Sequence, residues 1–314
     1  MTPTFSVVVP CFGHERFVTA AIGSVWAQTF DDFEIVAVDD GSPDGTGAVL
    51  DAMAATSPRP MHVIHGDNRG ASSALNEGAA AATAGYLAFL NDDDLFHPDR
   101  LDVFHRVIEK VDSFAWGFSG VEPIDEDGTP LPISRIPDAA RRDAMYRSRI
   151  TPEALRVLPR ENIVISSGNL VVDRDLFRDL GGFRDLRFTH DWELAVRLLD
   201  NKAPFVVERQ LYRYRVHPGN EFDRANSRAG TAAAATESEL VLREHQEREA
   251  ARSRSAAFGG TPWAQIGSLD PDSEFAVRGT LWALGKVRTV RPAYGALRKS
   301  AQLLRNLRRW WIER

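Results

Sequence analysis

The sequence predicts an α/β fold, in which a mixed, mostly parallel sheet is flanked by helices and followed by a helical C-terminal extension. Short apolar runs such as residues 5–9 (FSVVV) and 34–38 (EIVAV) are typical of strands buried on both faces of a sheet. Segments with apolar residues at helical spacing alternate with these runs through the first 110 residues. Such alternation indicates parallel strands joined by right-handed helical crossovers.

The first half of the chain contains the regular alternation. Phe17, Ala21 and Val25 recur four residues apart, which predicts one apolar face on the first helix. A further helix is expected to begin near Pro98, after the fourth strand. Strands are expected at residues 5–9, 34–38, 61–64 and 86–90, and helices at residues 14–29, 44–56 and 71–84.

The second half is less regular. A polar stretch, residues 122–161, interrupts the predicted strands. Residues 255–272 contain a Gly-Gly pair, two Pro and few periodic apolar residues, which predicts a linker or an extended arm. Strands are expected at residues 115–120, 163–172 and 205–216, and helices at residues 191–199 and 229–254.

Composition excludes several classes of protein. The 314 residues are 43% hydrophobic and 26% charged, as in ordinary globular domains. The single Cys11 excludes an internal disulfide framework and a cysteine-built zinc site. No run reaches the ~18 apolar residues of a membrane-spanning helix, and no secretory signal precedes the first strand. We therefore expect a cytoplasmic protein.

The formal net charge of −6 conceals an asymmetry. Nine basic residues and one acidic residue lie between Lys286 and Arg314, which places +8 there and −14 in residues 1–285. Leu and Trp residues in this basic tail recur at helical spacing, so an amphipathic helix is expected. It fits peripheral contact with the inner face of the cytoplasmic membrane, or packing on protein as in a homo-oligomer. The acidic body argues against nucleic acid as a partner.

Acidic residues follow two of the predicted buried strands. Asp40 ends the second strand, and Asp92, Asp93 and Asp94 follow the fourth. In open α/β sheets, ligands bind outside the carboxyl ends of the strands. Three adjacent carboxylates repel one another unless a cation neutralises them, and oxygen ligands suit Mg²⁺ or Mn²⁺. The alternative interpretation is that the three residues cap the helix beginning near Pro98.

Two common nucleotide-binding fingerprints are missing from the sequence. No Gly-x-Gly-x-x-Gly follows the first strand, and no Gly-x-x-x-x-Gly-Lys-Ser/Thr occurs. Dehydrogenase and P-loop functions are therefore not indicated. A nucleotide can still lie across the strand ends, held by Asp40 and by an aromatic residue such as Phe12.

Six segments, in a fixed order within residues 4–220, carry a family resemblance. They are FSVVVPCF (5–12), SVWAQTFDDFEIVAVDDGSPDGT (24–46), NRGASSALNEG (68–78), YLAFLNDDDLFHPDRL (86–101), GGF (181–183) and HDWEL (190–194). Together they resemble the family-2 glycosyltransferases, inverting enzymes with the GT-A (Rossmann-like) fold. The resemblance implies transfer of a sugar from a nucleotide-diphosphate donor, expected to be UDP-linked, to a hydroxyl of a glycan, lipid-linked or small-molecule acceptor, as in polysaccharide biosynthesis of the cell envelope.

The resemblance implies roles for residues on the donor side. Asp40 matches the family position that hydrogen-bonds the base, usually uracil. Phe12 matches an aromatic residue that stacks on the base, and Pro10 is assigned to the same donor site. Arg69 lies where a basic group approaches the diphosphate. Core packing for Phe12 and a solvated loop position for Arg69 are the alternatives.

The resemblance also implies a divalent cation, Mn²⁺ or Mg²⁺. The family commonly has Asp at the position of Asn91 and a small residue at that of Asp92, so this sequence departs from the pattern. Asp92 and Asp93 are both candidate metal ligands and donor contacts, with Asp93 preferred. His217 matches a late histidine that approaches the metal or the diphosphate in some relatives, and the alternative is a loop residue without such a role.

On the acceptor side, Asp191 matches the catalytic base of the family. A general base needs one carboxylate close to the acceptor hydroxyl. Asp191 also lies where a helix is expected to begin, so an N-cap is the alternative, and both roles are compatible. His190 and Trp192 flank it as candidate acceptor contacts, although packing is equally expected of the tryptophan. Ser167 lies where the acceptor-side strand of the family begins.

The resemblance divides the chain into three parts. Residues 1–110 are expected to form the nucleotide-sugar-binding half, residues 111–225 the acceptor-binding half, and residues 226–314 the helical extension with its basic end. A sugar-1-phosphate nucleotidylyltransferase is an alternative, but it needs a Gly-rich, Arg- and Lys-containing loop after the first strand. A non-catalytic scaffold or carbohydrate-binding subunit is a second alternative, and the intact acidic residues argue against it.

Overall fold

The centre of the fold is a mixed β-sheet. The computed structural model describes residues 2–111, 113–136, 142, 143, 145, 158–218, 220, 228–255 and 265–267, all within a compact unit bounded by Met1 and Leu281. The strands are β1 (Phe5–Cys11), β2 (Phe33–Asp39), β3 (Met61–His65), β4 (Tyr86–Phe89), β5 (Leu95–Phe96), β6 (Trp116–Ile124), β7 (Val171–Asp173), β8 (Phe205–Arg215) and β9 (Gln265–Gly267).

Helices cover the sheet. Those with described bounds are α1 (Glu15–Trp26), α2 (Thr46–Ala55), α3 (Ala71–Ala81), α4 (Arg100–Lys110), α5 (Arg174–Asp179), α6 (His190–Asn201) and α7 (Arg228–Ser255). The alternation of strand and helix through α4 is the one that the apolar runs predict, and the helices expected near residues 191–199 and 229–254 are present as α6 and α7.

The sheet is mixed and mostly parallel, as expected. Its strand order is β3-β2-β1-β4-β7-β6-β8-β5, with β9 paired to β8. Parallel pairing joins β1 to both β2 and β4, β2 to β3, and β8 to both β6 and β9. Antiparallel pairing joins β7 to β4 and β6, and β5 to β8. The carboxyl ends of the neighbouring parallel strands β1, β2 and β4 therefore lie side by side at the same end of the sheet.

Apolar side chains fill both faces of the sheet, which explains why its central strands have no polar face. Val7 and Val9 of β1 belong to one buried cluster, and the intervening Val8 belongs to the other. Helix α3 packs directly on β1 at Gly78, where an added Cβ would lie 2.5 Å from a Val8 methyl carbon. The small residue is needed because any side chain at this position would overlap with the Val8 side chain of the strand.

One predicted strand is much shorter in the structure. Residues 163–172 were expected to form a continuous strand, but only Val171–Asp173 does so. Ile165 has a φ of +73°, which an extended strand cannot contain. Ser167–Asn169 then form a 3₁₀ turn. The apolar residues of this segment are buried in a loop, which local periodicity does not distinguish from a buried strand.

The predicted linker at residues 255–272 lies mostly outside the described residues. Its described residues are Ser255, which ends α7, and residues 265–267, which form β9 and add to β8 in parallel. The basic tail, residues 286–314, lies outside the described residues, so its amphipathic helix stays a prediction, as does the division into three parts. Across the described part of the chain, we find no helix with the length and apolarity that crossing a membrane requires.

Candidate active site

The first buried carboxylate at the sheet edge is Asp40. Cys11 at the end of β1 pairs with Asp39 of β2, and Asp40 follows directly. The Asp40 carboxylate accepts hydrogen bonds from the backbone N–H groups of Arg69 and Gly70, both at 2.7 Å. It thereby holds the loop before α3 against the end of β2.

The residues around Asp40 differ in exposure. Phe12 is 37% exposed and is the one exposed large hydrophobic side chain among the described residues. Pro10 is half-buried within β1, opposite Val38. The Arg69 side chain is exposed and forms an ion pair with Glu77. An exposed aromatic ring near a buried carboxylate suits a flat heterocycle with hydrogen-bond donors on its edge.

The three acidic residues after β4 are all buried, and each has different partners. The Asp92 Oδ2 accepts from the backbone N–H of Phe12 at 2.9 Å, and its Oδ1 lies 2.8 Å from His14 Nδ1. Burial raises the pKa of the Asp92 carboxyl, and the nearby His14 opposes that rise. Asp92 therefore ties the loop after β1 to the end of β4.

Asp93 contacts residues that follow the last long strand, β8. His217 Nε2 lies 3.0 Å from its Oδ2, and Asn220 Nδ2 donates to the same oxygen at 3.2 Å. Burial acts to raise the pKa of the Asp93 carboxyl, but the hydrogen bond with His217 and the nearby imidazoles outweigh it, and the pKa lies below its usual value. The ionised carboxylate is the form that binds a cation.

Asp94 is buried beneath the site and contacts β8. It is 0% exposed, and its oxygens accept from the Tyr212 hydroxyl at 2.5 Å and from the Arg215 backbone N–H at 2.7 Å. Burial and the neighbouring charge of Asp93 raise the pKa of the Asp94 carboxyl well above its usual range. None of the three carboxylates caps α4, whose N-cap residue is Asp99, and the Asp99 side chain makes no capping hydrogen bond to the helix.

His14, Asp93 and His217 form a group that could hold a metal ion. One potential ligand atom from each lies within 4.8 Å of the other two. His217 Nδ1 lies 3.0 Å from the carbonyl oxygen of Pro218, which can only accept a hydrogen bond. Nδ1 therefore keeps its proton, and Nε2 is the atom that faces Asp93, where its own proton can be donated to the carboxylate. A divalent cation can replace that proton and bind both Nε2 and the carboxylate, so the residues present fit a divalent metal.

A separate carboxylate, Asp191, lies in the first turn of α6. It is 7% exposed. Its Oδ2 accepts from the Asn162 side-chain amide at 2.8 Å, and its Oδ1 accepts from the Trp192 backbone N–H at 2.7 Å. Burial raises the pKa of the Asp191 carboxyl, while His190 and Asn162 act against that rise. Thr189, and not Asp191, is the N-cap residue of α6.

The other predicted acceptor contacts differ in accessibility. Trp192 is 5% exposed, and its ring Nε1 donates to the Leu158 carbonyl at 2.7 Å. Its indole thus packs in the core. Ser167 is buried, and its Oγ donates to Asn91 Oδ1 at 3.0 Å. His190 is half-buried, and its buried Nδ1 has no hydrogen-bond partner among the described residues.

Residues 162–169 connect the two carboxylate regions. Asn162 bonds to Asp191 at one end of this segment, and Ser166 and Ser167 bond to the Asn91 side chain at the other. Gly168 makes that approach close, since an added Cβ would lie 2.8 Å from the Asn91 backbone nitrogen. The segment therefore couples the position of Asp191 to the acidic end of β4.

Helix α7 holds the N-terminal end of α6. The Glu237 carboxylate accepts from the backbone N–H groups of Arg187, Phe188 and Thr189 at 2.9–3.0 Å. At the other end of α6, buried Asp200 pairs with residues of the same helix α7, among them Arg248. Asp191, the candidate catalytic base, thus lies on a helix whose two ends both contact α7, a helix late in the sequence.

Sequence reasoning missed three residues of this site. His14 carries a detectable signal, because it follows the end of a buried strand by three residues and can join any ligand set there. Asn162 lies in a polar stretch without periodicity, and Glu237 is one acid among many on an exposed-looking helix. Neither has a local signal.

The comparison with known families and relatives agrees with this architecture. Residues 6–181 match the sequence profile of Glycosyl transferase family 2. An uncharacterized glycosyltransferase of Rickettsia typhi is 27% identical over 220 residues, which is 69% of this chain and 65% of that protein. The uncharacterized glycosyltransferase EpsJ of Bacillus subtilis is 40% identical over 112 residues, 36% of this chain and 31% of that protein. The chain thus spans less than two thirds of the length of these curated relatives.

Solved structures share the fold. S. aureus TarS 1-349 in complex with UDP-GlcNAc superposes with a TM-score of 0.56 and 18% identity, covering 81% of this chain and 75% of that one. The mannosyltransferase PcManGT from Pyrobaculum calidifontis, in complex with GDP-Man and Mn²⁺, superposes with a TM-score of 0.52 and 18% identity, covering 83% and 77%. The expected GT-A architecture is confirmed at the level of fold.

Proposed function

Because this chain belongs to glycosyltransferase family 2, we propose that it transfers a sugar from a nucleoside-diphosphate donor to an acceptor hydroxyl, with inversion at the anomeric carbon. One observation carries the proposal. A buried carboxylate with a raised pKa, Asp191, is held by Asn162 in a segment that also contacts the acidic end of β4. A base, and an edge that can hold a cation to neutralise the departing diphosphate, are the two parts that an inverting transfer needs.

In the proposed reaction, Asp191 accepts the proton of the acceptor hydroxyl as the hydroxyl oxygen attacks the anomeric carbon. The new carbon–oxygen bond forms on the face opposite the donor phosphate, and the bond between the anomeric carbon and the phosphate oxygen breaks. The electron pair of that bond leaves with the nucleoside diphosphate. A carboxyl with a raised pKa is a stronger base once ionised, and burial is its source here.

Charge on the departing diphosphate is the second requirement. Asp93 and His217 would hold a divalent cation, Mn²⁺ or Mg²⁺, and when bound the cation neutralises the phosphate oxygens. Asp92 orients the loop after β1 and is not assigned to the metal itself, since its two oxygens face Phe12 and His14.

On the donor side, Asp40 and Phe12 bind the base, and Pro10 and Arg69 complete the site near the diphosphate. UDP is the expected nucleotide, and the similar folds of proteins complexed with UDP-GlcNAc and GDP-Man make UDP- and GDP-sugars the first donors to test. The acceptor is a hydroxyl of a glycan, lipid-linked or small molecule, and the half-buried His190 next to Asp191 is the side chain proposed to contact it. Peripheral membrane contact or self-association through residues 286–314 completes the proposal.

The test is a panel of UDP- and GDP-sugars with Mn²⁺ or Mg²⁺, in which release of nucleoside diphosphate is measured. Asp191→Asn should bind the same donor with unchanged affinity by calorimetry and release product about 10²–10⁴-fold more slowly, the usual contribution of a general base. Asp179→Asn, at an exposed position on α5, is the matched control and should retain full activity. Full activity in Asp191→Asn would exclude it as the base, and failure of every donor to bind would favour a scaffold.

A further inference from the structure

His14, in the loop between β1 and α1, is held in place by contacts of its backbone and of its ring. Its backbone N–H donates to Thr46 Oγ1 at 3.1 Å, and its ring Nδ1 lies 2.8 Å from Asp92 Oδ1. The Asp92 side chain is 7% exposed, so this contact is shielded from water. A buried carboxylate facing Nδ1 keeps the ring proton on that nitrogen, which places the lone pair of the neutral ring on Nε2.

This arrangement repeats the one at His217. There, a carbonyl oxygen faces Nδ1 and Nε2 is directed toward Asp93. The two imidazole rings lie 5.7 Å apart between centroids and nearly perpendicular, at 83°. Metal-ligating histidines characteristically donate their other ring N–H to a carboxylate or a backbone carbonyl. His14 and His217 each show one of those two partners.

We propose that His14 is a third protein ligand of the cation and that Asp92 is the positioning residue that holds its ring. The metal site then consists of two imidazole nitrogens and the Asp93 carboxylate, with the remaining coordination positions open to phosphate oxygens. This inference rests on the proposed function of the same site, and it adds a choice of metal. Imidazole nitrogen favours first-row transition metals, whereas Mg²⁺ prefers oxygen ligands.

The metal site that we propose agrees with the way in which residues 91–94 depart from the common acidic motif of the family. Asn91 has an amide in place of a carboxylate, and this amide hydrogen-bonds to Ser166 and Ser167. Asp92 is committed to His14 and Phe12, and Asp94 to Tyr212 and the backbone of β8. Asp93 is therefore the one carboxylate of this cluster that shares a potential metal site with the histidines. A site with a single carboxylate offers Mg²⁺ few of the oxygen ligands that it prefers.

The experiment titrates metal-free protein, without donor, with Mg²⁺, Mn²⁺ and Co²⁺. Calorimetry gives the affinities, and the visible absorption of Co²⁺ together with the EPR spectrum of Mn²⁺ reports the ligands. The wild type should bind Co²⁺ more tightly than Mn²⁺, and Mn²⁺ more tightly than Mg²⁺. His14→Ala should weaken Co²⁺ binding by at least about tenfold and change the Co²⁺ spectrum, while Mg²⁺ binding changes by less than about threefold. His62→Ala, at an exposed position on β3, is the matched control.

A double-mutant cycle tests the part played by Asp92. Asp92→Asn should weaken Co²⁺ binding by about 10–100-fold in the wild type and have little further effect when His14 is already Ala. His14→Gln, with thermal melting of every variant, separates loss of a ligand from loss of folding. Unchanged Co²⁺ affinity and spectrum in His14→Ala, while Asp93→Asn abolishes binding, would overturn the role of His14. Donor hydrolysis in excess Mg²⁺ is measured separately, so that outcome leaves the proposed transferase function standing.

Discussion

Removing the side-chain amide of Asn162 should shift the acid limb of the pH–rate profile to higher pH. The amide donates to Asp191 at 2.8 Å and favours the ionised carboxylate. Burial already raises the pKa of Asp191, and without the amide that pKa rises further. A protonated carboxyl cannot act as a base, so activity is lost as pH falls through the pKa. The variant therefore loses activity at a higher pH than the wild type.

The magnitude follows from the burial of the contact. A hydrogen bond to a charged group contributes about 1.5–3 kcal/mol, and 1.36 kcal/mol corresponds to one pKa unit. Asp191 is 7% exposed, so water replaces the lost amide poorly. We expect the acid limb of kcat/KM to move up by about 1–2 pH units in Asn162→Ala. Well above the limb, the variant should retain most of its activity.

The assay measures release of nucleoside diphosphate across the pH range, because kcat/KM reports the pKa of the free enzyme. Asn162 also accepts from the Ile165 backbone N–H, so Asn162→Asp serves as a second variant. It retains that acceptor and places a negative charge beside Asp191, and its limb should also move to higher pH. Asn201→Ala, near the far end of α6, is the control with no expected shift. A limb that stays in place or moves to lower pH in Asn162→Ala refutes the reasoning.

Three further substitutions test the supports of the site. Asp40→Asn replaces a carboxylate that accepts from two backbone N–H groups. It should lower the free energy of unfolding by about 1.5–3 kcal/mol, measured by urea denaturation. It should also lower the affinity for UDP, measured by calorimetry. Glu237→Gln should lower kcat more than donor affinity, because it loosens the residues before α6, whereas Glu239→Gln on the same helix should change neither. Gly168→Ala should cost about 1–3 kcal/mol by overpacking, since its Cβ would lie 2.1 Å from the Tyr212 hydroxyl; equal unfolding curves for Gly168→Ala and the open-position control Gly85→Ala would contradict this.

The acidic cluster shows where local pattern stops being informative. An apolar strand followed by three carboxylates predicts an acidic sheet edge, and the structure has all three buried there. Their partners decide what each can do, and those partners are distant in sequence. Asp92 contacts a residue 78 positions away, Asp93 one 124 positions away, and Asp94 one 118 positions away. No spacing rule relates them, because the intervening chain crosses the sheet several times.

The acceptor side shows the same limit. The sequence predicted a helix beginning near Asp191, and α6 begins at His190. Adjacent residues on that helix nevertheless face different surroundings. The Trp192 ring packs in the core against the Leu158 carbonyl, while the Asp191 carboxylate meets the amide of Asn162. Both side chains are buried, but whether each one packs in the core or lies at a polar site depends on what packs against the helix, and the helix sequence alone does not contain that information.

The sequence by itself determined the fold class, the alternation of strands and helices through α4, and the family. These depend on local physical preferences: buried strands are apolar runs, amphipathic helices have period 3.6, and ligands bind at the carboxyl ends of parallel strands. The tertiary structure decided which carboxylate faces His217, which one holds His14, and which helix holds the turn before Asp191. Those contacts join residues from opposite ends of the chain, and only folding of the sheet brings them within hydrogen-bonding distance.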